Sequence, residues 1–283
     1  PERAQPERVQ PALAQPGQAG WAVDSRARCR VWIWDPQPNE TVSWSGACRG
    51  GVASGEGELL RQQGEQVVQM LSGTFAEGRL TGPGLRITAD GAQLEAPYVD
   101  GRANGEGRER FRDGGRYEGG FRDDRPNGRG TRLWPSGARY EGEWRDGRRS
   151  GFGRQLFADG ARYEGQWRDD RPNGRGTMLF ADGDTYEGDW VMGRRSGQGV
   201  LHWYRPGRSG VYEGAWRDDR REGQGRESYA PENGVYEGSF VDDRPQGRGV
   251  YVIGGRDRYE GEVMAGCLQA GWRAVPVGPF VCR

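Results

Sequence analysis

Tyr140-Glu141-Gly142-Glu143-Trp144-Arg145-Asp146-Gly147-Arg148-Arg149-Ser150-Gly151-Phe152-Gly153-Arg154-Gln155-Leu156-Phe157-Ala158-Asp159-Gly160 contains two short strand-like runs, each followed by Asp-Gly. Glycine tolerates positive φ and Asp satisfies local backbone donors, so Asp-Gly between such runs signals a hairpin. Strand side chains alternate between faces. Tyr140, Gly142 and Trp144 therefore share one face, and Glu141, Glu143 and Arg145 the other. In the returning strand Gly151, Gly153 and Phe157 share a parity. The two glycines leave room for rings from neighbouring strands, which accounts for glycine here despite its entropic cost.

Working outward, Tyr-Glu-Gly recurs at Tyr117, Tyr140, Tyr163, Tyr186, Tyr212, Tyr236 and Tyr259, with spacings of 23, 23, 23, 26, 24 and 23 residues. A fixed period of this length marks a stacked repeat architecture. Leu, Ile, Val and Phe number only 42 of 283 residues, about 15%, too few for a large aliphatic core. The 41 basic and 41 acidic residues cancel, and aromatic residues reach 11%. Aromatic stacking is thus expected to replace aliphatic packing.

These units resemble the MORN repeat, Tyr-Glu-Gly-x-Trp/Phe-x-x-Gly-x-x-x-Gly-x-Gly, with full copies over residues 117–255. Weaker copies begin at Trp44, Leu71 and Leu94, and a tenth unit begins at Tyr259, so the resemblance covers roughly residues 44–270. It implies an all-β fold: an elongated single-layer antiparallel sheet of ten stacked hairpins, with some twenty strands. At ~4.8 Å per strand this sheet would run on the order of 95 Å. Such arrays need protected ends, because terminal units expose a sheet edge. Residues 1–20 read as a flexible Pro/Gln-rich tether after removal of a signal peptide, 21–43 as an N-terminal cap whose first strand is Val31-Trp32-Ile33-Trp34, 44–270 as the repeat array, and 271–283 as a C-terminal cap ended by Pro276 and Pro279.

Four cysteines fall in two local pairs, one near each end of the array. A bridge allows a Cα separation of about 6 Å, far less than the length of such an array, which favours Cys29 with Cys48 and Cys267 with Cys282. Buried free thiols are the alternative. Disulfides would place the chain in an oxidising compartment, periplasmic or secreted. No stretch has the eighteen or so apolar residues that a membrane-spanning helix requires.

The composition also narrows the chemistry. All 41 basic residues are Arg, which removes lysine Schiff bases and any phosphate loop ending in Lys. Zero net charge argues against broad capture of nucleic acid. The lone histidine, His202, lies in a lengthened loop, Ser150 and Ser196 lie in turns, and no base accompanies either serine. The cysteines lack the CxxC spacing of a zinc site, and the Glu ladder from Glu118 to Glu260 is expected to be neutralised by Arg122, Arg145, Arg168 and Arg217 rather than to hold Ca²⁺. We therefore expect no catalytic residue, no metal and no cofactor.

What remains is surface. Trp144, Trp167, Trp190 and Trp216 are expected to form one line and Tyr140, Tyr163, Tyr186 and Tyr212 a second, packed mainly on each other but open in part as an aromatic trough. The resemblance implies a non-catalytic scaffold that binds a protein partner or forms a homodimer. Equivalent aromatics about 10 Å apart also suit a cell-wall glycan. Arg148, Arg149, Arg194, Arg195, Arg220 and Arg221 in the repeat turns suit phospholipid headgroups, because guanidinium forks bind phosphate well.

Overall fold

A computed structural model describes residues 18–264, 266–270, 273–278 and 282; the expectations for residues 1–17 and Pro279 fall outside this set. The described residues form strands and turns and no helix. The chain divides into two compact units, Pro1–Pro135 and Ser136–Arg283. Each is built on an open antiparallel sheet of hairpins, to which the first unit adds one parallel bridge, Arg30 opposite Val52.

In the second unit every strand from Arg139–Arg145 to Arg273–Pro276 pairs antiparallel with its neighbours in sequence. The repeat quoted above shows why. Asp146 and Gly147 sit at φ 49° and 84°, the two positive values that a type I′ turn needs to match strand twist. The following link closes through Gly160, at φ 91°, whose N–H donates to Phe157 O at 3.1 Å, while Phe157 N–H donates to Ala161 O at 2.9 Å.

The two glycines of each Gly-x-Gly do different work, which corrects the expectation that both make room for rings. Gly142 faces Gly153 but Glu143 faces Ser150, so Gly151 and Phe152 bulge from this pair and are taken up opposite Trp167 and Gln166 of the next strand. Gly151 supplies the φ of 61° at the bulge. Gly153 lies beneath the Tyr140 ring: a Cβ there would come 2.3 Å from the phenol oxygen. The ring it accommodates belongs to its own hairpin rather than to a neighbour.

The first unit follows the same plan from Val52–Gln63 to Arg125–Leu133. Its weak copies keep the geometry with other residues. Trp44 takes the tyrosine place, buried over Gly46 and Gly57 and 4.5 Å from the Phe75 ring. In the next-but-one unit, buried Leu94 and Ala96 stand where Tyr and Gly stand elsewhere.

At the N-terminal end, Gly20–Val23 is the first strand and pairs with Arg30–Ile33, so Val31-Trp32-Ile33 is its second strand. This hairpin lies along the row of repeat turns instead of extending the sheet. Trp32 N–H donates to Gly78 O at 2.9 Å, and Trp34 Nε1 donates to Asp100 O at 2.7 Å. Glu40–Trp44 covers the edge itself, pairing with Val52–Gln63. Buried Asp24 ties the two parts together by accepting from the N–H groups of Arg26, Ala27 and Trp44 at 2.6 Å each. Burial works to raise its pKa, but these N–H groups prevail and hold it below the usual carboxylate value.

Cys29 is bonded to Cys48 across a Cα separation of 5.7 Å, and Cys267 to Cys282 across 5.6 Å. Pro276 does not stand outside the ladder as a terminator; it is paired opposite Cys267 as the last residue of its strand. His202, Ser150 and Ser196 also lie in strands, not in loops or turns.

Candidate functional site

The aromatic residues of the second unit form one interleaved column rather than two lines. Tyr140 meets Trp144 at 5.2 Å and Trp167 at 5.3 Å; Tyr163 meets Trp167 and Trp190 at 5.2 and 5.5 Å. The alternation continues through Tyr186, Trp216, Tyr212 and Phe240, every contact edge-to-face. Edge-to-face geometry sets the positive ring edge on the negative face of its neighbour. Polar ends are satisfied on backbone. Tyr163 Oη donates to Gln166 O at 3.0 Å, and Trp190 Nε1 donates to Gly176 O at 3.2 Å. Burial pushes these phenols up, in Tyr236 to about 12.

This packing corrects the open trough. Tyr140, Trp144, Tyr163, Trp167, Tyr186, Trp190, Tyr212 and Trp216 are each at most 9% exposed, so their ring faces are consumed by one another and by glycine. Among these eight residues no ring face is left open to stack on a polysaccharide.

The arginines of the turns are consumed as well. Arg148, Arg194 and Arg220 face Asp169, Asp218 and Asp242 at 3.6, 3.4 and 2.6 Å. Arg149, Arg195 and Arg221 lie over the aromatic column, with guanidinium carbons 4.4 Å from Trp167, 4.3 Å from Trp216 and 5.3 Å from Phe240, and pair with Asp170, Asp219 and Asp243. The expected phosphate rim is thus a set of ion pairs within the chain, because the turns at Asp169-Asp170, Asp218-Asp219 and Asp242-Asp243 bring their carboxylates to the preceding hairpin.

Backbone chemistry explains which turns carry that Asp. Arg149, Arg195 and Arg221 each donate a backbone N–H to the carboxylate of Asp170, Asp219 or Asp243 at 2.9–3.0 Å. Pro172 and Pro245 have no N–H to donate. The residues opposite are Gly193 and Gly266, whose own N–H groups donate to the proline carbonyls at 2.8 and 3.3 Å.

The surface left available is the opposite face. Arg154 pairs with Glu164 at 2.9 Å and Arg226 with Glu237 at 2.9 Å, so the arginines that meet the Glu ladder follow the Gly-x-Gly; they are not Arg145, Arg168 or Arg217. Glu187 lies between Thr177 and Val200, and Glu213 lies between Val200 and Arg226, whose guanidinium pairs with Glu237 instead. Neither carboxylate has an ion pair among the described residues. Over them runs a groove of 1050 Å³, flanked by the exposed apolar side chains of Phe152, Leu156 and Leu179. Sequence reading missed this site, although the signal was present: the residue after Gly-x-Gly is Arg at 154, Thr at 177 and Val at 200.

A family model described as the MORN repeat matches residues 72–93, 98–116, 117–139, 140–162, 163–185, 186–205, 212–233 and 236–257. No curated protein matches the chain. Among solved structures it is similar to the wild-type TCP10 domain of Danio rerio CPAP, at 12% identity over 65% of this chain and 82% of that one, with a TM-score of 0.34. It is also similar to the SAS-4 (dCPAP) TCP domain of Drosophila melanogaster in complex with a proline-rich motif of Ana2 (dSTIL), at 10% identity over 63% and 83%, with a TM-score of 0.29. Likeness this slight carries neither fold nor function across. The repeat matches cover more than half of the residues, with the tyrosine-on-glycine packing running through them, and the chain belongs to the MORN repeat family.

Proposed function

We propose that this chain is a non-catalytic scaffold that binds a protein partner on the carboxylate face of its second unit. MORN repeats are in general interaction scaffolds without enzymatic activity. The observation that carries the reading is the groove over Glu187 and Glu213, two carboxylates without ion pairs, lined also by exposed Phe152, Leu156 and Leu179 and by Arg139, Arg154, Arg162 and Arg175. This lining suits a segment that combines apolar side chains with charges of both signs, its basic groups set on Glu187 and Glu213. The closed aromatic column and the Asp-paired arginines turn the reading away from the glycan trough and from a lipid-binding rim. Bonded Cys29–Cys48 and Cys267–Cys282 support action in an oxidising compartment of the cell envelope or outside the cell.

Quantitative affinity capture with the parent and with Glu187→Arg/Glu213→Arg tests this. Both substitutions lie on exposed strand positions, so the variant should fold as the parent does. A protein retained by the parent and released by the variant supports the reading, with binding weakened more at low salt than at high salt. Equal retention by both chains, or none by either together with a strictly monomeric sedimentation profile, removes it.

A further inference from the structure

The three repeats that carry an arginine over the column are not equivalent. Arg149 Nη1 donates to Gln155 Oε1 at 2.9 Å, and Arg221 Nη1 pairs with Glu227 Oε1 at 2.7 Å, in each case a residue six positions further on. Six positions beyond Arg195 is Leu201, which has no acceptor. Asp219 holds Arg195 through Nε at 3.2 Å and Nη2 at 2.8 Å, but Nη1 has no hydrogen-bond partner among the described residues.

A separate pocket of 480 Å³ opens at this point, on the aromatic side of the sheet and within the range of small-ligand sites, roughly 300–1,000 Å³. Phe180 and Trp203 contribute aromatic surface, and the buried edge of Trp216, a member of the column, closes the floor. The walls are fixed. Trp203 Nε1 donates to Glu227 at 3.2 Å, Tyr229 Oη donates to the same carboxylate at 2.7 Å, and Asp184 accepts from both terminal nitrogens of Arg205 at 2.9 and 3.0 Å. Glu227 is itself almost wholly buried, with its side chain 4% exposed.

The charges select the ligand class. Three arginines, at 195, 205 and 221, face four carboxylates, at Asp182, Asp184, Glu227 and Asp243. An anion meets the carboxylates and a cation meets the open Nη1 of Arg195. A hydroxyl group suits both, because it accepts from Arg195 and donates to a carboxylate. The second oxygen of Asp243 makes no hydrogen bond among the described residues and is such an acceptor. An array of hydroxyls on an apolar ring is a saccharide, whose C–H face packs on the aromatic walls.

We propose that this pocket binds one unit of a neutral saccharide, with a hydroxyl on Arg195 Nη1 and the ring against Trp203 and Phe180. The site is distinct from the carboxylate groove and from the closed aromatic column.

The test is tryptophan fluorescence and ligand-observed NMR on the unmodified full chain, titrated with neutral hexoses and their disaccharides, a uronate and inorganic phosphate. Neutral sugars are expected to bind, and the uronate and phosphate to bind more weakly. Leu201→Gln restores to Arg195 the acceptor that Gln155 gives Arg149, and occupies the pocket; it should weaken binding at least about tenfold, roughly 1.4 kcal/mol. Its thermal melting should match the parent's, since the chain already uses glutamine at the equivalent place. The proposal is overturned if no neutral sugar binds the parent, if phosphate or the uronate binds better, or if a folded Leu201→Gln variant binds as well as the parent. Should that variant not fold, the ligand series on the parent decides alone.

Discussion

Gly165→Ala adds one methyl group at a point where the facing backbone and a ring both approach closely. Its Cβ would lie 2.5 Å from Gly176 Cα, 2.6 Å from Arg175 O and 2.7 Å from Tyr163 Oη. The ring has nowhere to move: Tyr163 is held edge-on between Trp167 at 5.2 Å and Trp190 at 5.5 Å, with its hydroxyl on Gln166 O. Overpacking of this kind costs about 1–3 kcal/mol. Displacing the phenol loses a hydrogen bond worth about 1 kcal/mol, and replacing a strand glycine returns ~0.5–1 kcal/mol. The net expectation is about 1–3.5 kcal/mol of destabilisation, read as a lower guanidinium midpoint at unchanged slope.

The chain contains its own compensated version of this change, since Ala96 stands in the glycine place where Leu94 replaces tyrosine. Tyr163→Leu alone should destabilise by emptying the column, but combining it with Gly165→Ala should cost less than the sum of the two, by ~1–2 kcal/mol, because leucine does not reach the added methyl. Thr177→Ala, on the exposed face nearby, should stay within about 0.5 kcal/mol of the parent. A Gly165→Ala variant as stable as the parent, or strict additivity in the double variant, refutes the view that these glycines exist to seat the tyrosine rings.

Asp170→Ala should cost about 1–3 kcal/mol, because the Arg149 N–H loses its acceptor, whereas the pair Arg149→Pro/Asp170→Gly reproduces Pro172 with Gly193 and should recover most of that loss in the same denaturation assay. Alkaline pH should unfold the protein: the folded-state phenol pKa values lie above the unfolded value of about 10, so the tyrosines contribute full stability below pH ~10 and lose it as pH rises through the folded values, about 12 for Tyr236. A phenolate absorbance titration should show these residues ionising together with loss of the fold, and early, non-cooperative ionisation would contradict their burial.

The repeat, its period and its two strands were legible because each depends on local chemistry. Asp-Gly fixes a turn, and alternation fixes a face. The two disulfides followed from the cysteines' positions near opposite ends. The misreadings came where local chemistry is silent. The sequence placed Trp and Tyr on one face, but only packing decided that they interleave and bury one another. It showed arginines in the turns, but only register showed that each meets an Asp about one repeat further on. Val31-Trp32-Ile33 is a strand, as its composition suggests, yet its free edge meets turn carbonyls such as Gly78 O instead of the first repeat strand, which no local pattern encodes.

Sequence alone determined that this protein is a repeat of glycine-punctuated hairpins, because φ preference and side-chain alternation act within a few residues of chain. Tertiary structure alone decided which surfaces remain for binding, because that depends on what the neighbouring strand brings alongside. A ring is covered or free, and an arginine is paired or not, according to a register set roughly 20 or more residues away. Glu187, Glu213 and the open Nη1 of Arg195 stand out only once the pairings of their neighbours across the strands are known.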